Sequence, residues 1–239
     1  MRIALLGYGK MGKTIEKIAL ERGHEIVARI DVSNSGDRDK LTASNTDVVI
    51  EFSSPAAAFD NIKFCMQKGI RTVSGTTGWL EHKPEIEKMC IENQAAFFYA
   101  SNYSIGVNLF FKLNSFLAKL MKGQNQYEVS TDEIHHTEKL DAPSGTAITL
   151  AEGIIDNLGS KTQWVNNQIA GNAEVPIWSL REGKVPGTHI IKYISDVDQI
   201  EIKHEARSRQ GFALGAVLAA EWVSDKQGIL GMDDMLKLS

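Results

Sequence analysis

The stretch Gly7-Tyr8-Gly9-Lys10-Met11-Gly12 constrains this chain more than any other, because it fixes what stands on either side of it. The apolar run Ile3-Ala4-Leu5-Leu6 stops at Gly7, and the helical pattern Met11, Ile15, Ile18, Ala19 ends at Gly23. Strand, glycine turn and helix in that order open a βαβ unit. The first glycine permits the tight turn, the second lets the backbone approach a pyrophosphate, and the third lets helix and strand pack closely. Backbone N–H groups and the positive end of the helix dipole then face the phosphates. A second strand over Glu25–Ile30 leads into Asp31, 19 residues beyond Gly12, where a carboxylate meets the adenosine ribose hydroxyls. Singly, the glycines fit any tight turn and Asp31 any loop. In register they point to a dinucleotide held by Gly7, Tyr8, Gly9, Lys10, Met11, Gly12 and Asp31. Asp31 repels a ribose 2′-phosphate, which favours NADH over NADPH, while Lys10, Arg29 and Arg38 leave use of both open.

Short apolar strands continue at residues 48–50, 70–74 and 95–100, separated by helical patterns at 55–68 and 83–93. Near-continuous apolar strands alternating with helices imply a parallel sheet covered on both faces. The carboxyl ends of these strands carry Glu51-Phe52-Ser53-Ser54-Pro55, Gly75-Thr76-Thr77-Gly78 and Ser101-Asn102-Tyr103-Ser104. Ligands bind along that rim in open α/β sheets, so the three loops together extend the cofactor site. From residue 106 the pattern changes: a long apolar helix at 107–121, a strand at 127–134, a helix at 144–158, then strands at 163–169, 176–180, 189–195 and 199–206 with no helix between them. That implies a second, α+β domain with a mixed or antiparallel sheet. An apolar helix at 212–223 and a short helical tail at 232–238 complete the chain, with the expectation that this end packs back on the first domain. The expected boundaries are 1–106 with 212–239 for dinucleotide binding and 107–211 for substrate binding and oligomerisation.

The formal net charge of −4 argues against a nucleic-acid or anionic-membrane partner, so any positive site must be local. Cys65 and Cys90 lack metal-ligand spacing and lie in helical patterns, which predicts buried free thiols. Met1-Arg2 leads straight into a strand, so the expectation is a cytoplasmic chain with neither signal peptide nor membrane span.

The second concentration of chemistry is His135-His136-Thr137-Glu138-Lys139-Leu140-Asp141-Ala142-Pro143-Ser144-Gly145-Thr146. Here two imidazoles, a lysine and a Ser-Gly-Thr turn opening a helix share one strand-to-loop exit. A lone histidine is usually structural; a pair beside a lysine suits proton chemistry. No third His or Cys has suitable metal spacing, so no metal is expected. Ser144, Gly145 and Thr146 can offer N–H and hydroxyl donors to an anion, although Ser144 also suits a helix N-cap. Groups at Arg181, His189 and His204 recur at strand ends, and Arg207 and Arg209 suit structural or interdomain contacts.

These residues resemble the 4-hydroxy-tetrahydrodipicolinate (dihydrodipicolinate) reductase family. The glycine loop, Glu51–Pro55, Gly75–Trp79, Ser101–Asn108 and above all the run from His135 to Ala147 carry the resemblance, which spans essentially the whole chain. It implies an NAD(P)H-dependent reductase of lysine and diaminopimelate biosynthesis, typically a homotetramer built through the substrate-domain sheets. His135 would then be the acid/base residue and Lys139 a proton donor, with His136, Ser144, Gly145 and Thr146 holding a small dicarboxylate substrate. Phe52, Gly75, Thr76 and Thr77, with Ala100, Ser101, Asn102 and Tyr103, would meet the nicotinamide end. Lys10, Val32 and Glu205 stand where many members carry arginine, which bears on the choice of NADPH and not on the reaction. A non-catalytic NAD sensor would have no use for His135 with Lys139, and a different amino- or hydroxy-acid dehydrogenase none for the Ser-Gly-Thr cradle.

Overall fold

The computed structural model describes residues 1–208 and 210–238; Arg209 lies outside the described residues. The chain divides into two compact units, Met1–Ile105 with Gln210–Ser239, and Gly106–Arg209.

The first unit is a parallel sheet of β1 (Arg2–Leu6), β2 (Glu25–Ile30), β3 (Val48–Glu51), β4 (Arg71–Ser74), β5 (Ala96–Tyr99) and β11 (Gly228–Leu230), in the order β11-β5-β4-β3-β1-β2. Alternation along each strand explains the unbroken apolar runs. Ile3, Leu5, Val48, Ile50 and Phe98 face one core, shared with α1 (Lys10–Glu21) and α6 (Gln210–Val223). Ala4, Leu6, Val49 and Phe97 face the other, against α2 (Pro55–Gln67) and α3 (Lys83–Glu92). Fully burying a side chain of this size contributes roughly 1.5–3 kcal/mol, so a sheet buried on both faces needs no polar alternation. Cys65 and Cys90 are free and buried in the second core, and burial pushes the Cys65 thiol up to about 12.

The sequence left residues 224–231 unassigned, yet β11 there pairs with β5 and adds a sixth strand. Three residues starting at a glycine of φ +93° carry too little pattern to reveal a strand; the partner edge creates it. Two 3-10 segments, Val32–Lys40 and Leu80–His82, also interrupt what read as loop. The short helix α7 (Met232–Leu236) closes the chain within the first unit.

The second unit carries a mixed sheet in the order β10-β9-β6-β8-β7, from β6 (Glu128–His135), β7 (Gln163–Asn166), β8 (Glu174–Arg181), β9 (Thr188–Ile194) and β10 (Gln199–Glu205). β9 runs antiparallel to both β6 and β10, whereas β8 runs parallel to β6 and β7. Its helices are α4 (Ile105–Met121) and α5 (Gly145–Leu158). One sheet face packs Val129, Val175, Ile177, Ile191 and Tyr193 against Leu150, Ala151 and Ile154 of α5. The central place of β6 decides the site, because its end at His135 has strands on both sides. Among the described residues no helix is long and apolar enough to cross a membrane.

Candidate functional site

In the first unit the turn after β1 is built so that only glycine fits. Gly7 has φ +97°, its N–H donates to the Ile30 carbonyl at 2.8 Å, and a Cβ there would lie 2.0 Å from the Phe52 carbonyl oxygen. A Cβ on Gly12 would lie 2.3 Å from the Gly7 carbonyl oxygen, so the helix sits as close to the turn as backbone allows. Gly9, by contrast, faces open space, and no side chain caps α1. The first-turn N–H groups of α1 are therefore left for a ligand, next to an exposed Lys10 and a half-buried Met11.

A cavity of about 490 Å³ runs from this turn past Tyr8, Asp31, Val32 and Phe52. Asp31 accepts from the Ser33 hydroxyl at 2.6 Å and the Ser33 N–H at 2.8 Å, and these bonds hold its carboxyl below the ordinary value. Arg29 does not serve the cavity: it pairs with Glu16, which also accepts from the Tyr8 hydroxyl. Arg38 donates to Asn61 and lies over the Phe64 ring.

A second cavity, about 280 Å³, is lined by Met11, Phe52, Ser53, Gly75, Thr76 and Thr77. It is organised by Glu51, a fully buried carboxylate at the end of β3. Glu51 accepts from the Ser74 hydroxyl at 2.6 Å, the Thr76 hydroxyl at 2.9 Å, the Ser53 N–H at 3.0 Å and the Ser53 hydroxyl. One acid thus ties two of the rim loops together. The Phe52 ring lies directly against Gly75, where a Cβ would meet it at 2.3 Å and displace it. Tyr103 is buried, its hydroxyl donating to the Ser74 carbonyl at 2.7 Å, so its ring belongs to the core beneath the rim. Ser101 is exposed, Asn102 is half-buried with its side chain accepting from the Ser104 N–H, and Ala100 is buried.

In the second unit His135 ends β6, and registry rather than sequence spacing supplies its neighbours. Parallel pairing places Arg181 beside His135, and antiparallel pairing places His189 beside Glu133. Glu133 and His135, two apart on the strand, share the buried face. His135 Nε2 stands 3.4 Å from His189 Nε2 and 3.5 Å from Glu133 Oε2, and His189 Nε2 is 3.8 Å from that same oxygen. Glu133 accepts the Ser144 N–H at 3.1 Å on each oxygen and Arg181 Nη2 at 3.2 Å on Oε1.

Burial holds the His135 imidazole below its ordinary value; Glu133 pulls the other way, and the charges of Lys139 and Arg181 add to the depression. Burial and the neighbouring His135 take His189 down to about 4. Burial would raise the Glu133 carboxyl, but bonds from Ser144, Ser179 and Arg181 bring it below its ordinary value. Two neutral imidazoles therefore face one carboxylate near neutral pH.

Ser144, after the cis Ala142–Pro143 bond, caps α5 by accepting the Ala147 N–H at 3.2 Å. Its own burial and its bond to Glu133 make it structural, while Gly145 is exposed with open space around it and Thr146 is half-buried. Lys139 Nζ donates to both oxygens of Asp141 at 2.7 Å, a partner that the sequence reading did not give it. His136 is half-buried on the same loop.

The sequence places Glu51 only within a rim loop, gives Glu133 no part in these sites and leaves Arg181 and His189 without a role. An acid on the buried face of a strand, as Glu51 and Glu133 are, was the available signal.

Two family models cover the chain: one described as dihydrodipicolinate reductase, N-terminus, over residues 1–103, and one as dihydrodipicolinate reductase, C-terminus, over residues 106–236. A 4-hydroxy-tetrahydrodipicolinate reductase of Christiangramia forsetii is 50% identical over 99% of this chain and 98% of its own length. Its counterpart in Methanocaldococcus jannaschii is 36% identical, covering 98% of this chain and 81% of that protein. A dipicolinate-bound dihydrodipicolinate reductase from Paenisporosarcina sp. TG-14 superposes with a TM-score of 0.81 at 24% identity, over 98% of both chains. An amine dehydrogenase from Mycobacterium smegmatis does so at 0.59 and 11% identity, over 98% of this chain and 95% of its own. These structural likenesses bear on the fold.

Proposed function

The chain belongs to the dihydrodipicolinate reductase family, and on that premise we propose that it reduces 4-hydroxy-tetrahydrodipicolinate to tetrahydrodipicolinate in lysine and diaminopimelate biosynthesis. The observation that carries the reading within the structure is the end of β6. There His135, His136 and Lys139 stand on the strand exit that leads to the Ser144-capped N-terminus of α5, where Gly145 is exposed.

The first unit fits a dinucleotide, because a Cβ at Gly7 or Gly12 would close the cradle while Gly9 leaves it open. When bound, the reduced nicotinamide supplies the hydride. Tyr8, Gly9, Lys10, Met11 and Gly12 would hold the pyrophosphate through N–H groups and the α1 dipole, on the turn that Gly7 makes possible. Asp31 would accept from the adenosine ribose. Phe52, Gly75, Thr76 and Thr77, with Ala100, Ser101, Asn102 and the Tyr103 backbone, would present the rim to the nicotinamide end. The Asp31 carboxylate and the engagement of Arg29 with Glu16 favour NADH, with NADPH also accepted.

In the second unit His136, Gly145 and Thr146 would take the substrate carboxylates, with Ser144 fixing the helix end that presents them. Loss of the 4-hydroxyl as water leaves a conjugated imine, and hydride addition to it leaves an electron-rich atom that needs a proton. Lys139 carries one, and Asp141 holds its ammonium in place. Burial holds the His135 imidazole below its ordinary value, and a neutral ring keeps one nitrogen as an acceptor able to orient and relay that proton. Trp178, Leu180 and Ile194 are exposed on the sheet face opposite α5, which supports a homotetramer built through that sheet.

The test is loss of reduced-nicotinamide absorbance with substrate made in situ by the upstream synthase, NADH and NADPH in parallel. His135→Gln and Lys139→Ala should each lose most turnover while NADH still binds. Near-normal turnover in both would remove the chemistry from this loop.

A further inference from the structure

We propose that Glu133, His135 and His189 form a reversible binding site for a divalent transition metal of the zinc class, and that an ion bound there inhibits the enzyme by occupying the His135 nitrogen. The binding half stands on geometry alone; the inhibition half rests on the role proposed for His135.

Two imidazoles and one carboxylate make a donor set that zinc sites with an open fourth position use. The three donor atoms, His135 Nε2, His189 Nε2 and Glu133 Oε2, are 3.4, 3.5 and 3.8 Å apart. Zinc bonds of about 2.0–2.1 Å in a tetrahedron set ligand atoms roughly 3.3–3.4 Å from one another. The centre of the observed triangle lies about 2.1 Å from all three atoms; an ion just above that plane is held tetrahedrally once the 3.8 Å edge closes by about 0.4 Å, a side-chain adjustment. All three side chains are buried on one face of the mixed sheet, fixed by the registry of β6 against β9.

The outer groups are of the kind that orient metal ligands. Glu133 Oε1 accepts from Arg181 and both its oxygens accept the Ser144 N–H, which fixes the carboxylate with Oε2 on the triangle, while Ser144 Oγ lies 3.3 Å from His189 Nε2. Two features oppose tight retention. The Arg181 and Lys139 cations stand close to the site, and His189 Nδ1 is buried without a partner. Imidazole donors select zinc, copper or cobalt over magnesium or calcium. The opposing charges make the occupant exchangeable rather than a permanent part of the protein.

Chelator-dialysed full-length protein is titrated with cobalt(II) and read by visible absorption, then with zinc chloride by calorimetry. The expected result is one ion per chain and the intense d–d bands of a four-coordinate site. Binding should weaken at least tenfold in His189→Gln and Glu133→Gln and remain in His82→Gln, which alters a surface imidazole. Should the buried variants fail to fold, diethyl pyrocarbonate labelling of the unaltered protein decides: zinc should protect His135. Zinc should also depress turnover, with recovery on adding a chelator. Octahedral cobalt spectra, unprotected His135, or binding unchanged in His189→Gln would overturn the site. Four-coordinate bands with undiminished turnover would uphold the site and refute the role of His135.

Discussion

Replacing Gly187 by alanine tests whether the placement of His135 matters to turnover, without touching a charged or ligand-facing group. A Cβ at Gly187 would stand 2.8 Å from His135 Cε1 and 3.3 Å from Nδ1, on a backbone with φ +157°. Ordinary contact begins near 3.4 Å, so the imidazole must retreat by about 0.6 Å. The ring has little freedom to absorb this, because His189 packs edge-on with centroids 5.2 Å apart and Glu133 Oε2 stands 3.5 Å from its Nε2. A misplacement of 1 Å can cost about a hundredfold in rate, so turnover should fall by roughly ten- to a hundredfold. The strained backbone adds a stability loss of about 1–3 kcal/mol. For a chain of this size that lowers Tm by roughly 2–4 °C per kcal/mol. Gly183→Ala is the control in the same connection: it has φ +47° with nothing within 4 Å of the added carbon, so it carries backbone strain alone. Kinetics at saturating substrate, NADH binding and thermal melts are measured on both. Wild-type turnover in Gly187→Ala, or equal turnover losses in the two variants, would refute the reasoning.

Gly7→Ala should raise the Kd for NADH at least tenfold, read by nucleotide fluorescence, because the new carbon would meet the Phe52 carbonyl oxygen at 2.0 Å; unchanged affinity would contradict the cradle. Asp31→Ala should cost NADH about tenfold in kcat/KM, the loss of about 1.4 kcal/mol of charged hydrogen bonding, while NADPH turnover holds or improves; equal losses with both cofactors would argue against ribose recognition. His189 sits at about 4 when folded and 6.5 when unfolded, so the unfolded chain binds more protons between these values. Its contribution, at most about 3 kcal/mol, is complete above pH 6.5 and is lost as pH falls toward 4. Urea midpoints measured with a chelator present should therefore drop less across that window in His189→Gln than in the unaltered protein, and parallel curves would refute this.

Local pattern determined much of this protein. The glycine spacing, the unbroken apolar strands and the acid after β2 specify a βαβ cofactor half, because each follows from steric or burial rules within a few residues. The His135–Thr146 run likewise gathers two imidazoles and a lysine, and Ser144 reads as a helix cap, from neighbours along the chain. Tertiary structure decided what surrounds those groups. β11 exists only because β5 offers an edge, and Arg29 leaves the cofactor cavity only because Glu16 on α1 claims it. Lys139 gained Asp141, and Glu51 became the tie between two rim loops. Above all, His189 reaches His135 from 54 residues away through the pairing of β9 with β6. Strand registry is a property of the whole sheet, so the protonation of His135 and the buried carboxylate beside it belong to the fold and not to the motif.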